Sequence, residues 1–491
     1  MRGGRILGGK RWPVFLAAGL LAFVLLVGPA LAQETNDLEE ALSGFEETAP
    51  TAEEGDLEDV LDQFGDQAPE AGQADATSGA SPNILPRPSW LDLNGGISLL
   101  GVCNLAHQAP QAGQTDHRGL SSLRARASLE ADVRLSLSWR ARASGHAFYD
   151  LAYAIRGRED YTDQVLDEYE QEVELDEAYI QGSLLPQVDI KVGRQIVVWG
   201  KSDNLRVTDI LNPIDNRRLG LTDIEELRLP VAMTRLDAYL GPWDLCGLVI
   251  HEVRFNKTPV YGSDFYPAPT PAPEDKKPGA GIDNQQYALA LNGTFSGWDL
   301  SLYAASVFDQ ESHLEMTAAG LEGVHGRIYM AGLAADVVMG SWLMKGETAF
   351  LHGLEFLALP DEKMSRLDLL LGVEYSGFAE TSIALEAVCR HIIDFDQRLE
   401  GGPDDAREDD FQWAFRLNRD FLNDRLTLTL LASAFDALAQ GGAFERLQLD
   451  YELTDSLLIT LGLVLYQSGD RAFTENIGDN DRLFGQIRYS F

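Results

Sequence analysis

The C-terminal stretch Asp481-Arg-Leu-Phe-Gly-Gln-Ile-Arg-Tyr-Ser-Phe491 decides how the rest of the chain is interpreted. Its residues alternate between two chemical types, which is the two-residue period of a β-strand. Two structures satisfy this pattern: an edge strand of a soluble domain, or a membrane strand with lipid on one face and a water-filled lumen on the other. The apolar row is Leu483, Gly485, Ile487, Tyr489 and Phe491, and the polar row is Arg482, Gln486, Arg488 and Ser490.

Two observations favour the membrane strand. Tyr489 and Phe491 resemble the terminal aromatic signal by which outer-membrane β-barrels are passed to their insertion machinery. The same alternation recurs from about Trp90 onward, in segments of about ten residues, which is the length that a tilted strand needs to cross the hydrocarbon. The clearest segments are 123–132, 135–142, 188–199, 367–375 and 426–433.

The connections between these segments alternate between two lengths. Short turns are predicted at 186–187, 241–242, 296–297, 340–341, 378–379, 423–424 and 454–455, and long polar loops at 105–119, 156–171, 200–229, 256–284, 309–322, 353–364, 393–409 and 468–480. In up-and-down outer-membrane barrels the short turns are periplasmic and the long loops extracellular. The sequence therefore predicts an all-β fold, a transmembrane up-and-down antiparallel β-barrel of about 16–18 strands over residues 90–491, with both termini periplasmic.

Composition narrows the alternatives. Hydrophobic residues make up 45% of the chain, and no apolar run after residue 32 approaches the ~20 residues of a membrane-spanning helix. A formal net charge of −38 argues against a nucleic-acid partner, because polyanions repel one another. Cys103, Cys246 and Cys389 are too few for a disulfide framework, and they are interpreted as packing residues, with metal binding as the second interpretation.

The N-terminus has the form of a secretory signal peptide, predicted over residues 1–32. Basic residues precede an apolar run from Val14 to Val27, and Ala30-Leu31-Ala32 supplies a cleavage site before Gln33. Export through such a signal, together with the terminal aromatic strand, predicts the outer membrane of a double-membraned bacterium.

Residues 33–89 form an acidic, low-complexity segment that is predicted to be largely disordered in the periplasm. From Gln33 to Ala80 there are fifteen acidic residues and no Lys or Arg, a composition that cannot bury a core. Leu38-Glu-Glu-Ala-Leu-Ser-Gly-Phe45 returns as Leu57-Glu-Asp-Val-Leu-Asp-Gln-Phe64, with the apolar residues of each copy on one face of a short helix. The segment is either a solvated spacer or a pair of helical motifs that fold on a periplasmic partner.

The connection at 200–229 is too apolar for a loop tip in water. Apolar side chains on an exposed loop cost free energy, so this inserted loop is predicted to fold inward against the wall and the lumen. Its apolar residues are Leu205, Val207, Ile210, Leu211, Ile214, Leu219 and Leu221, and its basic residues are Lys201, Arg206, Arg217, Arg218 and Arg228.

The residues around this loop resemble the hallmark region of a bacterial outer-membrane family named only as domain of unknown function 1302. The matching motifs are Gly193-Arg194-Gln195-x-x-x-Trp199-Gly200, Asn212-Pro213-x-Asp215 and Leu229-Pro230. The resemblance is specific over about residues 187–240 and leaves the acidic segment outside. It implies a porin-like outer-membrane barrel, often encoded near transporters and periplasmic proteins linked to apolar compounds, and it implies no catalytic residues.

Arg194 departs from the simple strand pattern, since it falls in register with Val192 and Val198 on the face assigned to lipid. An arginine near the middle of a bilayer costs about 2–4 kcal/mol. A β-bulge at Gly193 that turns Arg194 inward is the predicted solution.

No catalytic, cofactor or metal site is predicted, since the eight histidines show no pair with metal-ligand spacing and no Gly-x-Ser-x-Gly elbow occurs. The functional residues are instead expected in the lumen, where Arg124 and Arg126 on one strand are predicted to lie beside Arg140 and Arg142 on the next. The lumen charges either pair with one another or form a transverse field that orients a polar solute. Acidic residues expected to face inward are Glu130, Asp132, Glu177, Glu347, Glu374, Glu386 and Asp450.

The predicted function is an outer-membrane porin-like channel for small or apolar solutes, and enzyme activity is not expected. The inserted loop acts as its constriction or, alternatively, as an external cap. The alternative function is an outer-membrane component of an apolar-compound or lipid transfer system that recruits a periplasmic partner through the acidic segment. Outer-membrane lipid and the barrel-insertion machinery are the expected partners.

Overall fold

The computed structural model describes residues 88–491 apart from 111–113, 223 and 319. The predicted signal peptide and nearly all of the acidic segment therefore lie outside the described residues. The strands, in chain order, are β1 (Leu91–Asn104), β2 (Gly119–Arg134), β3 (Trp139–Asp150), β4 (Gln171–Leu185), β5 (Val188–Gln195), β6 (Val231–Leu240), β7 (Trp243–Ile250), β8 (Asp275–Lys276), β9 (Gln286–Phe295), β10 (Trp298–Phe308), β11 (His313–Thr317), β12 (Gly320–Val324), β13 (Arg327–Met339), β14 (Trp342–Phe356), β15 (Leu359–Phe378), β16 (Thr381–Ile393), β17 (Asp409–Phe421), β18 (Leu426–Phe435), β19 (Ala443–Thr454), β20 (Leu457–Gln467) and β21 (Arg482–Ser490).

Eighteen of these strands form one closed antiparallel barrel. Each barrel strand pairs with the next one along the chain, and β1 also pairs with β21, which closes the sheet. The other three strands, β8, β11 and β12, form a small separate sheet from two of the loops. The predicted fold class is confirmed, with the strand number at the upper end of the predicted range.

The helices are short, and none within the described part of the chain is long and apolar enough to cross a membrane. They are the α-helices Leu151–Arg156, Asp163–Val165 and Ile224–Leu227, the 3-10 helices Arg158–Asp160, Ile282–Asn284, Gln397–Leu399 and Ile477–Asn480, and the π-helix Leu166–Glu170.

Short turns lie at one end of the barrel, here the short-turn end, and most of the long connections lie at the other, the long-loop end. All seven predicted short turns are found to within a residue or two, and an eighth lies at 135–138 between β2 and β3. The predicted strand 135–142 is therefore wrong in its first half, because Leu135 and Leu137 belong to that turn. Leu137 is fully exposed there, so the apolar alternation continued past the end of the strand.

The long loop predicted at 353–364 is also wrong. β14 and β15 continue through it and are separated only by Leu357 and Ala358, so that their hairpin extends past the neighbouring strands. The carboxylate of Asp404 holds this tight turn, since its two oxygens accept hydrogen bonds from the N–H groups of Leu357 and Ala358, at 2.9 Å each.

The outer face of the barrel is apolar. Along β1, for example, Ile97 and Leu99 are exposed, whereas Ser98 between them is buried on the inner side. An apolar band with an aromatic girdle is the surface that a lipid bilayer requires. Exposed aromatic residues towards the short-turn end are Tyr239, Trp298, Trp342, Tyr451, Tyr489 and Phe491.

The inner face has two unlike halves. The barrel strands from β6 to β17 contribute inward side chains to the largest apolar cluster of the described residues, which includes Met233, Leu248, Ile328 and Leu370. Strands β19 to β21 and β1 to β4 instead present mostly polar and charged side chains to a cavity. The difference arises because the first part of a chain segment packs its apolar side chains against the first half.

Candidate functional site: the lumen and its inserted segment

The chain leaves the barrel wall at the end of β5 and rejoins it at the start of β6. The strand predicted at 188–199 therefore ends four residues early, at Gln195, and residues 196–230 form what is here called the inserted segment. It is slightly longer than the loop predicted at 200–229. Its two ends meet at the wall, because Gln195 and Val231 are register partners.

Gly193 and Gln195 shape the point where the chain departs. Gly193 has a φ of 132°, and a Cβ there would lie 2.2 Å from the carbonyl oxygen of Ala178, so no other residue fits. The fully buried amide of Gln195 donates to the backbone oxygens of Gly193 (3.3 Å) and Met233 (3.2 Å). These contacts account for the first and third residues of the Gly193-Arg194-Gln195 motif.

The predicted bulge at Gly193 is wrong. The structure describes every residue of β5, and this strand keeps its register through Gly193 with both neighbouring strands. The Arg194 guanidinium instead avoids lipid by reaching along the wall to Glu174 (3.0 Å) and Glu252 (3.5 Å). That space is free because β5 pairs with β4 only from Ala178 onward.

Asn212 ties the two ends of the inserted segment together. Its side-chain oxygen accepts from the Val197 N–H at 2.8 Å, and its side-chain nitrogen donates to the Leu229 oxygen at 2.9 Å. Because Asn212 is completely buried, each of these bonds replaces one that water would otherwise make. The second motif of the hallmark region thus clamps the segment at its base.

Apolar side chains hold the first part of the inserted segment against the wall. Trp199 stacks on Tyr303 of β10 with 4.6 Å between ring centroids. Leu205, Val207 and Leu211 are each at most 4% exposed and join the apolar cluster of the wall. Burial of such side chains contributes about 1.5–3 kcal/mol each, which explains why the segment lies inside the barrel.

Glu347 of β14 binds the backbone of the inserted segment. One carboxylate oxygen accepts from the N–H groups of Lys201 (2.6 Å) and Ser202 (2.8 Å), and the other accepts from the Thr208 hydroxyl (2.8 Å). Gly200 permits this approach, since a Cβ there would lie 2.6 Å from the Glu347 carboxylate. Glu347 is 3% exposed, so these donors replace the water that its carboxylate loses on burial.

Glu386 of β16 repeats the arrangement two strands away. Its oxygens accept from the N–H groups of Asp203 (2.9 Å) and Asn204 (3.0 Å) and from the Ser202 hydroxyl (2.7 Å). Lys345 donates to Asp203 and lies 3.7 Å from Glu374. The predicted inward acids Glu347, Glu374 and Glu386 therefore all surround residues 200–204, which the sequence did not indicate.

The basic residues of the inserted segment are mostly paired with acids. Arg217 is 5% exposed and contacts Asp215 and Glu172, the latter at 3.0 Å. Arg206 and Arg228 share Asp209, at 3.1 and 2.8 Å. Lys201 lies 3.2 Å from Asp299, and Arg218 lies 3.5 Å from Asp150.

The four wall arginines do not form one cluster. Arg126 is the register partner of Phe148, whereas Arg142 is the partner of Asp132 and Arg140 that of Arg134. Arg126 and Arg142 are thus separated by six residues along the strands (148 − 142), about 20 Å. Arg142 binds Asp132 at 2.8 Å and lies 3.2 Å from Glu130 and 3.9 Å from Glu177, so it belongs to a network near the short-turn end.

A cavity of about 720 Å³ remains between the inserted segment and the polar half of the wall. Arg124, Arg126 and Asp450 of the predicted lumen set line it, with Arg217 and Arg218 of the segment. A second cavity of about 360 Å³ is lined by seven residues of the segment itself, Ile196, Val198, Gly200, Lys201, Ser202, Asp203 and Arg228. Ile196 and Arg228 border both cavities.

Residues of the loop at 251–285 reach over the long-loop end of the lumen. Phe265 packs in an apolar cluster with Val102 and Phe444, and Asp264 lies 3.1 Å from Arg482. Burial alone would raise the pKa of the Asp264 carboxyl, but the charges of Arg482 and His117 outweigh it and lower that pKa to about 2. This contact therefore keeps its charge at any ordinary pH.

One group outside the lumen was missed by the sequence analysis. His313, Glu315 and Glu355 each bring one potential metal-ligand atom to within 4.8 Å of the others. Lys363 already pairs with Glu355 at 2.7 Å. Glu355 is forty residues from Glu315 in sequence, so metal-ligand spacing could not indicate the group.

Residues 14–491 match the family described as Protein of unknown function (DUF1302). The chain belongs to this family. The resemblance seen in the hallmark motifs is confirmed, but the expectation that the acidic segment lies outside the family is wrong, because the match begins at residue 14.

Solved structures with a similar fold are outer-membrane porins. OccAB2 of Acinetobacter baumannii superposes with a TM-score of 0.50 at 10% identity, covering 82% of this chain and 98% of that one. A BenF-like porin from Pseudomonas fluorescens Pf-5 gives 0.49 at 13% identity, with 82% and 98% covered. A comparison with curated proteins finds no match. At such identities the similarity concerns the fold, and this DUF1302 chain is a porin-like β-barrel.

Proposed function

We propose that this DUF1302 protein is an outer-membrane channel whose passage is narrowed by the inserted segment. The observation that carries the proposal is the one-sided free space in the lumen. The first part of the inserted segment fills the side next to β6–β17, while the cavity of about 720 Å³ lies between its later residues and the side of β19–β21 and β1–β4. A porin-like barrel with such a free side can pass small solutes.

The two cavities outline the proposed route. A solute would pass from the larger cavity to the smaller one between Ile196 and Arg228, which border both. Arg228 is held by Asp209 at 2.8 Å and Ile196 by Glu177, which accepts from its N–H at 3.3 Å. This pair of residues is the proposed constriction.

Most of the groups along the larger cavity are charged or polar, so the route favours small polar or ionic solutes over purely apolar ones. In the proposed orientation the long-loop end is extracellular and both chain ends are periplasmic. The alternative role in an apolar-compound transfer system depends on the acidic segment, and nothing in the part of the chain that the structure describes favours it.

Deletion of residues 203–226, replaced by a short glycine linker, tests the constriction, because it removes the body of the inserted segment together with Asp209, the residue that holds Arg228. Because the segment occupies the lumen, the deletion should raise the single-channel conductance in planar bilayers while the barrel still migrates as a heat-modifiable species. In the matched control the same kind of linker replaces residues 314–322 of the small sheet, and this change should leave the single-channel conductance unchanged. A folded deletion variant with the conductance of the intact protein would rule out the inserted segment as constriction.

A further inference from the structure

We propose that His313, Glu315 and Glu355 form a binding site for a divalent transition-metal ion such as Zn²⁺. The side chains come from two elements at the long-loop end, the strand β11 of the small sheet and the barrel strand β14. The inference goes beyond the proposed channel function and does not depend on it, because none of the three residues lines either lumen cavity.

The three ligand atoms have the spacing of a metal site. Nε2 of His313 lies 3.1 Å from Oε1 of Glu315 and 3.5 Å from Oε2 of Glu355. Around a tetrahedral zinc ion with bonds of about 2.1 Å, neighbouring ligand atoms are about 3.4 Å apart. An imidazole nitrogen and two carboxylate oxygens are a ligand set that Zn²⁺ accepts. Because all three atoms lie within 4.8 Å of one another, small side-chain rotations would bring them into contact with one ion.

Two neighbours position the Glu355 carboxylate for this role. Lys363 binds its Oε1 at 2.7 Å, which leaves Oε2 directed towards His313. Gly326 lies against Oε2, since a Cβ there would be 2.6 Å from that oxygen. The backbone of Gly326 does not have a positive φ, so its conformation does not require glycine. The missing side chain instead provides the space that the carboxylate oxygen occupies.

A fourth carboxylate lies beside the group. Glu322 of β12 is the register partner of Glu315, and like charges directly opposite each other destabilise a sheet. Within the described residues, Oε2 of Glu322 is buried without a hydrogen-bond partner, and the Lys276 ammonium is 3.6 Å away. A buried carboxylate oxygen that lacks a donor costs free energy. A cation next to Glu315 would reduce both costs, and Glu322 could supply a further ligand to it.

The bound ion would fasten the small sheet to the barrel wall. The hairpin of β11 and β12 would be joined to β14 through Glu355. β12 also pairs in parallel with β8, which belongs to the loop at 251–285 that reaches over the lumen. His325, just after β12, contacts Asp275 of β8 at 3.2 Å. One ion would therefore hold two long loops and an extended hairpin together at the long-loop end.

The test uses Zn²⁺ alone as the probe. It is titrated by calorimetry into the detergent-solubilised full chain, which carries no histidine tag and has been freed of metal with a chelator. His313→Ala should weaken zinc binding about tenfold or more, since loss of even an indirect contact to a metal ligand costs about 10–100-fold in affinity. His391→Ala is the matched control and should leave the affinity unchanged, because His391 pairs with one carboxylate only, that of Asp409 at 2.9 Å.

Gly326→Ala is a second variant, which keeps every ligand but displaces Oε2 of Glu355, and it should also weaken zinc binding. Hydrogen exchange provides a second readout. Zinc should slow the exchange of the β11 amides in the wild type and not in His313→Ala, because a ligand stabilises the state that binds it. Ca²⁺ should not displace Zn²⁺, since it prefers about six to eight oxygen ligands.

Equal zinc affinity in the wild type and His313→Ala, or zinc binding that leaves the exchange of β11 unchanged, would overturn the site. Displacement of Zn²⁺ by an equal concentration of Ca²⁺ would also overturn it, because it would indicate an acidic patch without a specific imidazole ligand. Single-channel conductance in metal-free buffer should be the same in all these variants. A failure of the metal site would therefore leave the channel proposal unaffected.

Discussion

Phe491 and Gly95 exchange two backbone hydrogen bonds, each 2.9 Å long, at the seam where the last strand meets the first. The Phe491 ring covers the position where Gly95 lacks a side chain, since a Cβ there would lie 2.6 Å from the ring. The ring is 42% exposed on the outer face, and Tyr489 stacks on it at 6.2 Å. The C-terminal residue thus belongs to the closure of the barrel.

Replacing Phe491 by Asp should reduce assembly several-fold, because the change puts a charge on the outer face at the closing seam. The measurement is the amount of heat-modifiable, membrane-integrated protein. Phe473→Asp is the control, since Phe473 is a similarly exposed aromatic in a loop. Wild-type levels of integrated Phe491→Asp protein would contradict the prediction and the predicted role of Tyr489 and Phe491 as an assembly signal.

Glu347→Gln should loosen the inserted segment. In the wild type the N–H groups of Lys201 and Ser202 and the Thr208 hydroxyl share two charged oxygens, whereas the glutamine amide would offer them one neutral oxygen. Charge-assisted hydrogen bonds contribute about 1.5–3 kcal/mol each, so a large part of the anchoring should be lost. Single-channel recordings should show added fluctuations towards higher conductance. Glu355→Gln on the same strand is the control, and equally quiet currents in both variants would argue against anchoring by Glu347.

Gly193→Ala should destabilise the junction between β5 and the inserted segment. The methyl group would lie 2.2 Å from the Ala178 oxygen, and the φ of 132° is itself unfavourable for alanine by about 1–3 kcal/mol. The thermal midpoint in detergent should fall. Gly247→Ala on β7 has open space at its Cβ and should leave it nearly unchanged. Similar midpoints for the two variants would show that the close approach is unimportant.

Removal of residues 33–80 should leave the barrel folded and its conductance nearly unchanged, because so acidic a segment contributes no core. Membrane insertion and single-channel conductance of the truncated chain are the measurements. Failure of the truncated chain to insert would mean that the acidic segment is a structural part of the protein.

The barrel itself could be predicted because its two surfaces follow the strand period. That period does not mark where a strand ends. Leu135 and Leu137 continue the alternation into a turn, and extending the strand through them shifted the β2–β3 register, so that Arg124 and Arg126 were expected beside Arg140 and Arg142. A hairpin register depends on its turn, and a misplaced turn moves every cross-strand pair.

The inward fold of the inserted segment could also be predicted, from its excess of apolar residues. Its anchors could not, because Glu347 and Glu386 lie well over a hundred residues away along the chain and bind backbone N–H groups. Every residue except proline carries such a group, so these contacts leave no pattern in the sequence. In the sequence, only Gly200 marks the position of the anchored residues, because its missing side chain leaves room for the Glu347 carboxylate.

The pairing of Gln195 with Val231 has a topological consequence for folding. Both ends of the inserted segment emerge about one strand spacing apart, some 4.8 Å. A loop with neighbouring ends can swing into the interior without threading a chain terminus through a closed ring. The ring of strands can therefore be completed first, and the segment can settle afterwards or withdraw again without any strand coming unpaired.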